Sequence, residues 1–254
     1  MTAHLQRRKT PFISPYINPF LLMEILHEDE HLFVIVKPAG RLAQPDRTGD
    51  ADVLTLGKEY LNDRGEDDPF LGLVHRLDRP TSGLMVLART SQAARVLSAQ
   101  FRERTAEKTY LAVVEGALRG IGAWTDTIAK IDQQPQIVAS DHPKGKYAAL
   151  DWQALHAAVD RTLLRLQLHT GRPHQIRLQA ADRGHPVVGD TRYGADAPRP
   201  EGAIALHHTI LRVEHPETQR LETFVAPPPD FWQAILTDDM QAAVERMVEQ
   251  ATMP

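Results

Sequence analysis

Residues 73–90, LVHRLDRPTSGLMVLART, set two apolar runs on either side of a charged turn. Each run is too short for a helix and is bounded by turn formers. The pair reads as two buried strands, 71–77 and 84–89, joined through Pro80-Thr81-Ser82-Gly83. Asp78 then falls at the end of a buried strand, between Arg76 and Arg79. A bare carboxylate is unfavourable there unless a cation answers it. In a regular strand Arg76 points to the opposite face, so the partner must come from elsewhere in the chain.

The remaining pattern is an irregular mixture of both periods. Segments 23–26 and 31–36 predict an opening hairpin, 53–64 a helix, 91–104 a helix capped by Thr90 or Ser91, and 108–116 a strand. Residues 162–169 predict a strand that breaks at Thr170-Gly171 into a helix, with Pro173 in its first turn and Gly184 at its stop. A late strand covers 203–213, and Pro227-Pro228-Pro229 precedes a C-terminal helical tail. Frequent hairpins among irregularly placed helices predict an α+β fold: a mixed, largely antiparallel sheet with flanking helices and a central cleft.

The 254 residues suffice for one good core. With no cysteine, a disulfide scaffold and Cys-ligated zinc are excluded, and a reducing compartment fits. No apolar stretch approaches the ~20 residues of a bilayer span, and no apolar signal core follows the basic N-terminus. The chain reads as a cytoplasmic, membrane-free monomer. Its net charge of −4 conceals polarity: residues 161–192 carry six arginines against two acids, and residues 230–249 five acids against one arginine.

The best answer to Asp78 is LHTGRPHQIRLQ, residues 168–179, whose helix displays His174, Gln175 and Arg177 near its N-terminal turns. Arg177 can fork onto the carboxylate and hold it ionised. Taken alone, Asp78 reads rather as a buried structural ion pair, Tyr110 as a core aromatic and Arg177 as a surface arginine with its stem packed.

The set of motifs resembles the RluA family of RNA pseudouridine synthases. HRLDRPTSG is similar to that family's central motif, VKPAG (36–40) to its Lys-Pro-x-Gly element and KTYLAVVEG to its Lys-x-Tyr strand. TGRPHQIR resembles its basic strand–helix motif, GHPVVGDTRYG (184–194) its Gly-His-Pro and Gly-Asp-x-x-Tyr-Gly segment, and LHHTILRVEHPET (206–218) its terminal strand region. The resemblance implies isomerisation of uridine to pseudouridine in tRNA or large-subunit rRNA, with neither metal nor nucleotide cofactor. Asp78 is then the catalytic carboxylate, either nucleophile or base. Tyr110 stacks on the base, Arg177 pairs with Asp78, and Arg76 fills the gap left by a flipped nucleotide. His75, Thr81, Arg172, His174 and Gln175 are the remaining substrate-binding candidates, while Lys37 and Tyr193 are as good turn formers as site residues.

On this reading residues 1–22 are an N-terminal arm, 23–229 the catalytic domain and 230–254 a tail packed on it or trailing. Too few residues precede Met23 for the RNA-binding domain of several relatives, which is a feature of compact members. Two departures stand out: Pro173 where the family has a small hydroxyl residue, and Gln179 where it has histidine, both expected to tune RNA contacts. The competing readings are a structured-RNA-binding protein without catalysis and a phosphate-cradle enzyme. Neither GxxxxGK(S/T) nor GxGxxG occurs, and no HExxH spacing marks a zinc site.

Overall fold

The expected opening hairpin forms from β1 (Glu24–Glu28) and β2 (Leu32–Lys37), in a computed structural model that describes residues 23–253. The N-terminal arm, 1–22, lies outside the described residues. The Asp29 carboxylate tightens the hairpin turn by accepting from the His31 and Leu32 amides, both at 2.7 Å. Helix α1 (Val53–Asp63) is capped by Asp52, whose side chain accepts from the Thr55 amide. A two-residue β3 (Gly72–Leu73) and β4 (Ser82–Ala88) follow, then α2 (Ser91–Glu103), capped by the Thr90 hydroxyl.

Strands β5 (Glu107–Glu115), β6 (Ile121–Ile131), β7 (Gln134–Val138), β8 (Lys146–Ala157) and β9 (Arg161–Leu168) then follow one another without an intervening helix. Helix α3 (Gln175–Asp182), strands β10 (Leu206–Glu214) and β11 (Leu221–Val225), and helix α4 (Asp238–Thr252) complete the chain. All strands join one sheet in the order β1-β2-β4-β10-β5-β9-β8-β6-β7, with β11 on β10 and β3 on β4. Every pairing is antiparallel except β4 with β10, which is parallel through Ser82 and Gly83.

The larger core lies against α1, α3 and α4, with Leu61, Ile176, Met240 and Val244 packed onto Phe33, Leu111 and Leu164. The smaller lies under α2, where Leu97 covers Leu32, Val34, Leu84 and Val86. The expected α+β architecture is therefore present, and the C-terminal helix packs on the sheet rather than trailing.

Three expectations are corrected. The strand expected over 71–77 shrinks to Gly72–Leu73, because side chains replace a neighbouring backbone at the middle of β4. His208 Nδ1–H donates to the Leu84 carbonyl at 2.7 Å, and the Val86 amide donates to His75 Nε2 at 3.0 Å. With those ladder groups satisfied, the chain from Val74 to Pro80 is free to leave the sheet. Helix α3 begins at Gln175, two residues beyond Pro173, and His174 adopts a left-handed φ of 54°. The Gln175 side chain delays the start: it accepts from Thr170 Oγ1 and the Arg172 amide and donates to the Ala149 carbonyl, lashing the loop to β8. Strands β6, β7, β8 and β11 had no expected counterpart in the sequence pattern.

Candidate active site

Two loops are clamped together at the C-terminal end of β2. Lys37 is fully buried, and its ammonium donates to the carbonyls of Pro38, Arg41 and Arg79 at 2.8–3.1 Å. Burial pushes its pKa down to about 7 while the charge of Asp78 pulls it up. Three carbonyl acceptors match the three protons of the charged form. The Gly40 amide donates to the Arg79 carbonyl and Arg79 Nε donates back to the Gly40 carbonyl, so the Lys-Pro-Ala-Gly loop holds the 78–81 turn. That turn is closed by the Thr81 amide on the Asp78 carbonyl, at 3.1 Å.

Asp78 Oδ2 accepts from Arg177 Nη1 at 3.2 Å and lies 3.8 Å from His174 Nε2. The arginine's other edge is taken: Nε and Nη2 donate to the two oxygens of buried Asp190 at 2.6 and 2.9 Å. Burial opposes the charge of Arg177, but these hydrogen bonds outweigh it and raise its pKa. The Tyr193 ring lies 4.9 Å from the guanidinium, and its hydroxyl meets His174 Nδ1 at 2.6 Å. Burial lowers the His174 pKa, although Asp78 opposes the shift. Gly-Asp-x-x-Tyr-Gly thus cages the two nitrogen-bearing side chains that face Asp78. Its local pattern is that of a turn former, and the caging role belongs to the folded chain.

Tyr110, on β5, stacks on His208 with ring centroids 4.4 Å apart and planes within 12°. Burial and the nearby charge of Asp78 raise its hydroxyl pKa, so the phenol keeps its proton. Arg76, Asp78, Thr81, Tyr110, Arg172, His174, Gln175 and Arg177 line one cavity of about 130 Å³. It adjoins a wider cleft of about 540 Å³ edged by Gly40, Gln44, Asp46, Arg79 and Arg192.

Eight of the nine site residues expected from the sequence therefore meet in one cavity. His75 does not. It stacks on Phe101 at 4.4 Å and serves β4 as a backbone acceptor, with burial pushing its pKa down to about 3. Gln179 also faces inward, fully buried, donating to Asp126 Oδ2 at 2.6 Å. The side chain thus serves the α3–β6 contact. Asp190 escapes sequence reasoning because only the folded chain brings it beside Arg177.

A cavity that sets a carboxylate against a caged arginine and a buried tyrosine, on this sheet, agrees with the comparisons. The profile described as RNA pseudouridylate synthase matches residues 31–182. The chain belongs to that family, as its RluA-type motifs implied. Its relatives include the ribosomal large subunit pseudouridine synthases D of Xylella fastidiosa (36% identical, over 82% of this chain and 66% of that protein) and Nitrosomonas europaea (35%, over 84% and 64%). The Vibrio cholerae protein of the same name is 35% identical over 83% of this chain and 68% of its own length. The match thus spans about two thirds of these relatives. Human RNA pseudouridylate synthase domain containing 4 shares the fold, with a TM-score of 0.70 at 22% identity, over 87% of this chain and 92% of that one.

Proposed function

We propose that the protein isomerises uridine to pseudouridine in RNA, with Asp78 as the catalytic carboxylate and Tyr110 and Arg177 as its partners. The observation that carries the reading is the convergence on one cavity of Asp78 from the β3–β4 loop, Tyr110 from β5 and Arg177 from α3. The reaction breaks the bond between C1′ and N1, turns the detached uracil and joins C1′ to C5. C5 then loses its proton and N1 gains one. Asp78 acts on the sugar, as nucleophile or base. Tyr110, holding its proton, serves as a wall and hydrogen-bond donor for the uracil rather than as the resting base. Arg76, at the exposed lip, takes the space vacated by the flipped nucleotide.

The names of the relatives favour large-subunit rRNA as the substrate, with tRNA as the second candidate. We place the activity in the cytoplasm, in a monomer. No helix among the described residues is long and apolar enough to cross a membrane. Because the isomerisation is redox-neutral and the sequence carries no strong metal-ligand or phosphate-cradle motif, turnover should survive a chelator.

Asp78→Asn tests the reading. Arg177 keeps its bidentate grip on Asp190 in this variant, so what the substitution weakens is one hydrogen bond worth about 1 kcal/mol. The expected result is a folded protein that binds RNA and forms no pseudouridine. Normal turnover per folded molecule would overturn the assignment, and a wild-type protein that binds RNA without isomerising it would favour the binding-only reading.

A further inference from the structure

The six arginines of residues 161–192 do not share a surface. Arg177 is sealed on Asp190, Arg183 pairs with Asp126, and Arg161 is tied to Asp160 and the Ile235 carbonyl. The fold instead gathers cations that are scattered along the chain. Arg76, Lys130, Lys144, Lys146, Arg172 and Arg192 line one groove of about 440 Å³, and no carboxylate lines it. Among the described residues none of the six is in an ion pair, whereas Arg79, Arg89, Arg102 and Arg212 all are.

Unanswered like charges repel one another, and here they stand together in a chain of net charge −4. Three come from the far edge of the sheet: Lys130 near the end of β6, Lys144 before β8 and Lys146 at its first position. Arg172 is steered toward the groove by its Nε, which donates to the Tyr147 carbonyl at 2.9 Å. Arg192 is tied to the β6–β7 hairpin through Gln134 at 3.0 Å. Arg76, Arg172 and His174 line both this groove and the cavity of Asp78 and Tyr110, so the two spaces are continuous.

We propose that this groove is a phosphate track, holding the sugar–phosphate backbone of the RNA strand that runs out of the Asp78 cavity. The proposal rests on the RNA-isomerase reading and adds a binding site that the chemistry does not itself require. Lysine ammonium groups are mobile point charges without a fixed fork, and so suit phosphates rather than base edges. The track contributes affinity and salt dependence, with little sequence preference.

The test replaces Lys130, Lys144 and Lys146 by alanine together, all three being exposed and none part of the catalytic cavity. A control replaces Lys58, Arg95 and Arg220, which lie outside the groove. Binding of a fluorescein-labelled oligouridylate is measured across a salt series, beside melting temperature and pseudouridine formation in rRNA. The groove variant should melt normally, and its slope of log Kd against log salt should fall by about 2, at roughly 0.7 for each phosphate no longer neutralised. Its kcat/KM should fall while kcat at saturating RNA holds. An unchanged slope, or an equal fall in the control, overturns the track. Pseudouridine formation by the wild type separates the two ideas: if it occurs and the slope is unchanged, the track alone fails. If the wild type shows a lysine-dependent slope and no isomerisation, the track stands and the chemical reading fails.

Discussion

Arg177 is the side chain on which the site turns, because it is buried and shared by two carboxylates of unequal grip. Asp190 takes two of its nitrogens, and Asp78 takes one at a longer distance. Neutralising the stronger partner leaves a buried cation with a single, longer ion pair. Asp190→Asn is therefore expected to cost about 3–5 kcal/mol in chemical denaturation, against about 1 kcal/mol for Asp78→Asn. Equal costs for the two variants would refute the asymmetry. The order of the activities should be the reverse of the order of the stabilities: the Asp190 variant keeps some pseudouridine formation per folded molecule, and the Asp78 variant keeps none.

At the scale of elements, the pairing of β4 with β10 decides whether the catalytic loop is presented at all. Gly83 has a φ of +118°, and a Cβ there would collide with the His208 backbone. Gly83→Ala should destabilise by roughly 3 kcal/mol or more, read as a fall in the urea midpoint, since strained backbone and overpacking add. The same seam is held by neutral histidines. His207 accepts from Ser82 Oγ at 2.8 Å and donates to the Ala226 carbonyl at 3.2 Å, and burial lowers its pKa to about 3. Burial likewise holds the His208 pKa well below the ordinary value. Above about pH 6.5 these rings are neutral in both folded and unfolded chains and add no pH dependence. Below it the unfolded chain takes up protons that the folded chain refuses, so stability falls as the pH drops toward about 3. The expected slope is about 1 kcal/mol per pH unit for each buried ring, measured by urea denaturation between about pH 7 and pH 4. A flat profile would mean that the rings are charged, and hydrated, in the folded state.

For the molecule as a whole, the sheet has two large cores and a small third cluster of Ile128, Ala148 and Leu178, and the C-terminal segment supplies part of the largest. Trp232, Ile235, Met240, Val244 and Met247 are all buried there. Deleting residues 230–254 uncovers that face, and several large apolar side chains are deprived of burial worth about 1.5–3 kcal/mol each. The truncated protein should be insoluble or lack a cooperative melting transition. A soluble, cooperatively melting product would show the tail to be an accessory to the fold.

Local pattern was enough for the elements whose periodicity is strong: the β1–β2 hairpin, α1 and α2 with their Asp52 and Thr90 caps, and strands β5, β9 and β10. Asp78, Tyr110 and Arg177 were nominated together only through the ordered motifs that resemble a known family, since the residues by themselves read as an ion pair, a core aromatic and a packed arginine. Strands β6 to β8 escaped notice because they form the sheet's edge, where polar residues such as Thr125, Asp126 and Lys130 interrupt the apolar alternation. Other decisions depend on groups far apart in sequence, and only the tertiary structure makes them. His75 and His208 stand in for a strand beside β4, although they come from opposite halves of the chain, and so free the Asp78 loop from the sheet. Lys37 finds its three acceptors only once the two loops meet, and six cations become one groove only when the sheet edge folds beside α3. The chain's local periodicity carries short-range order. Burial and charge are properties of what surrounds a residue, and those surroundings exist only in the folded chain.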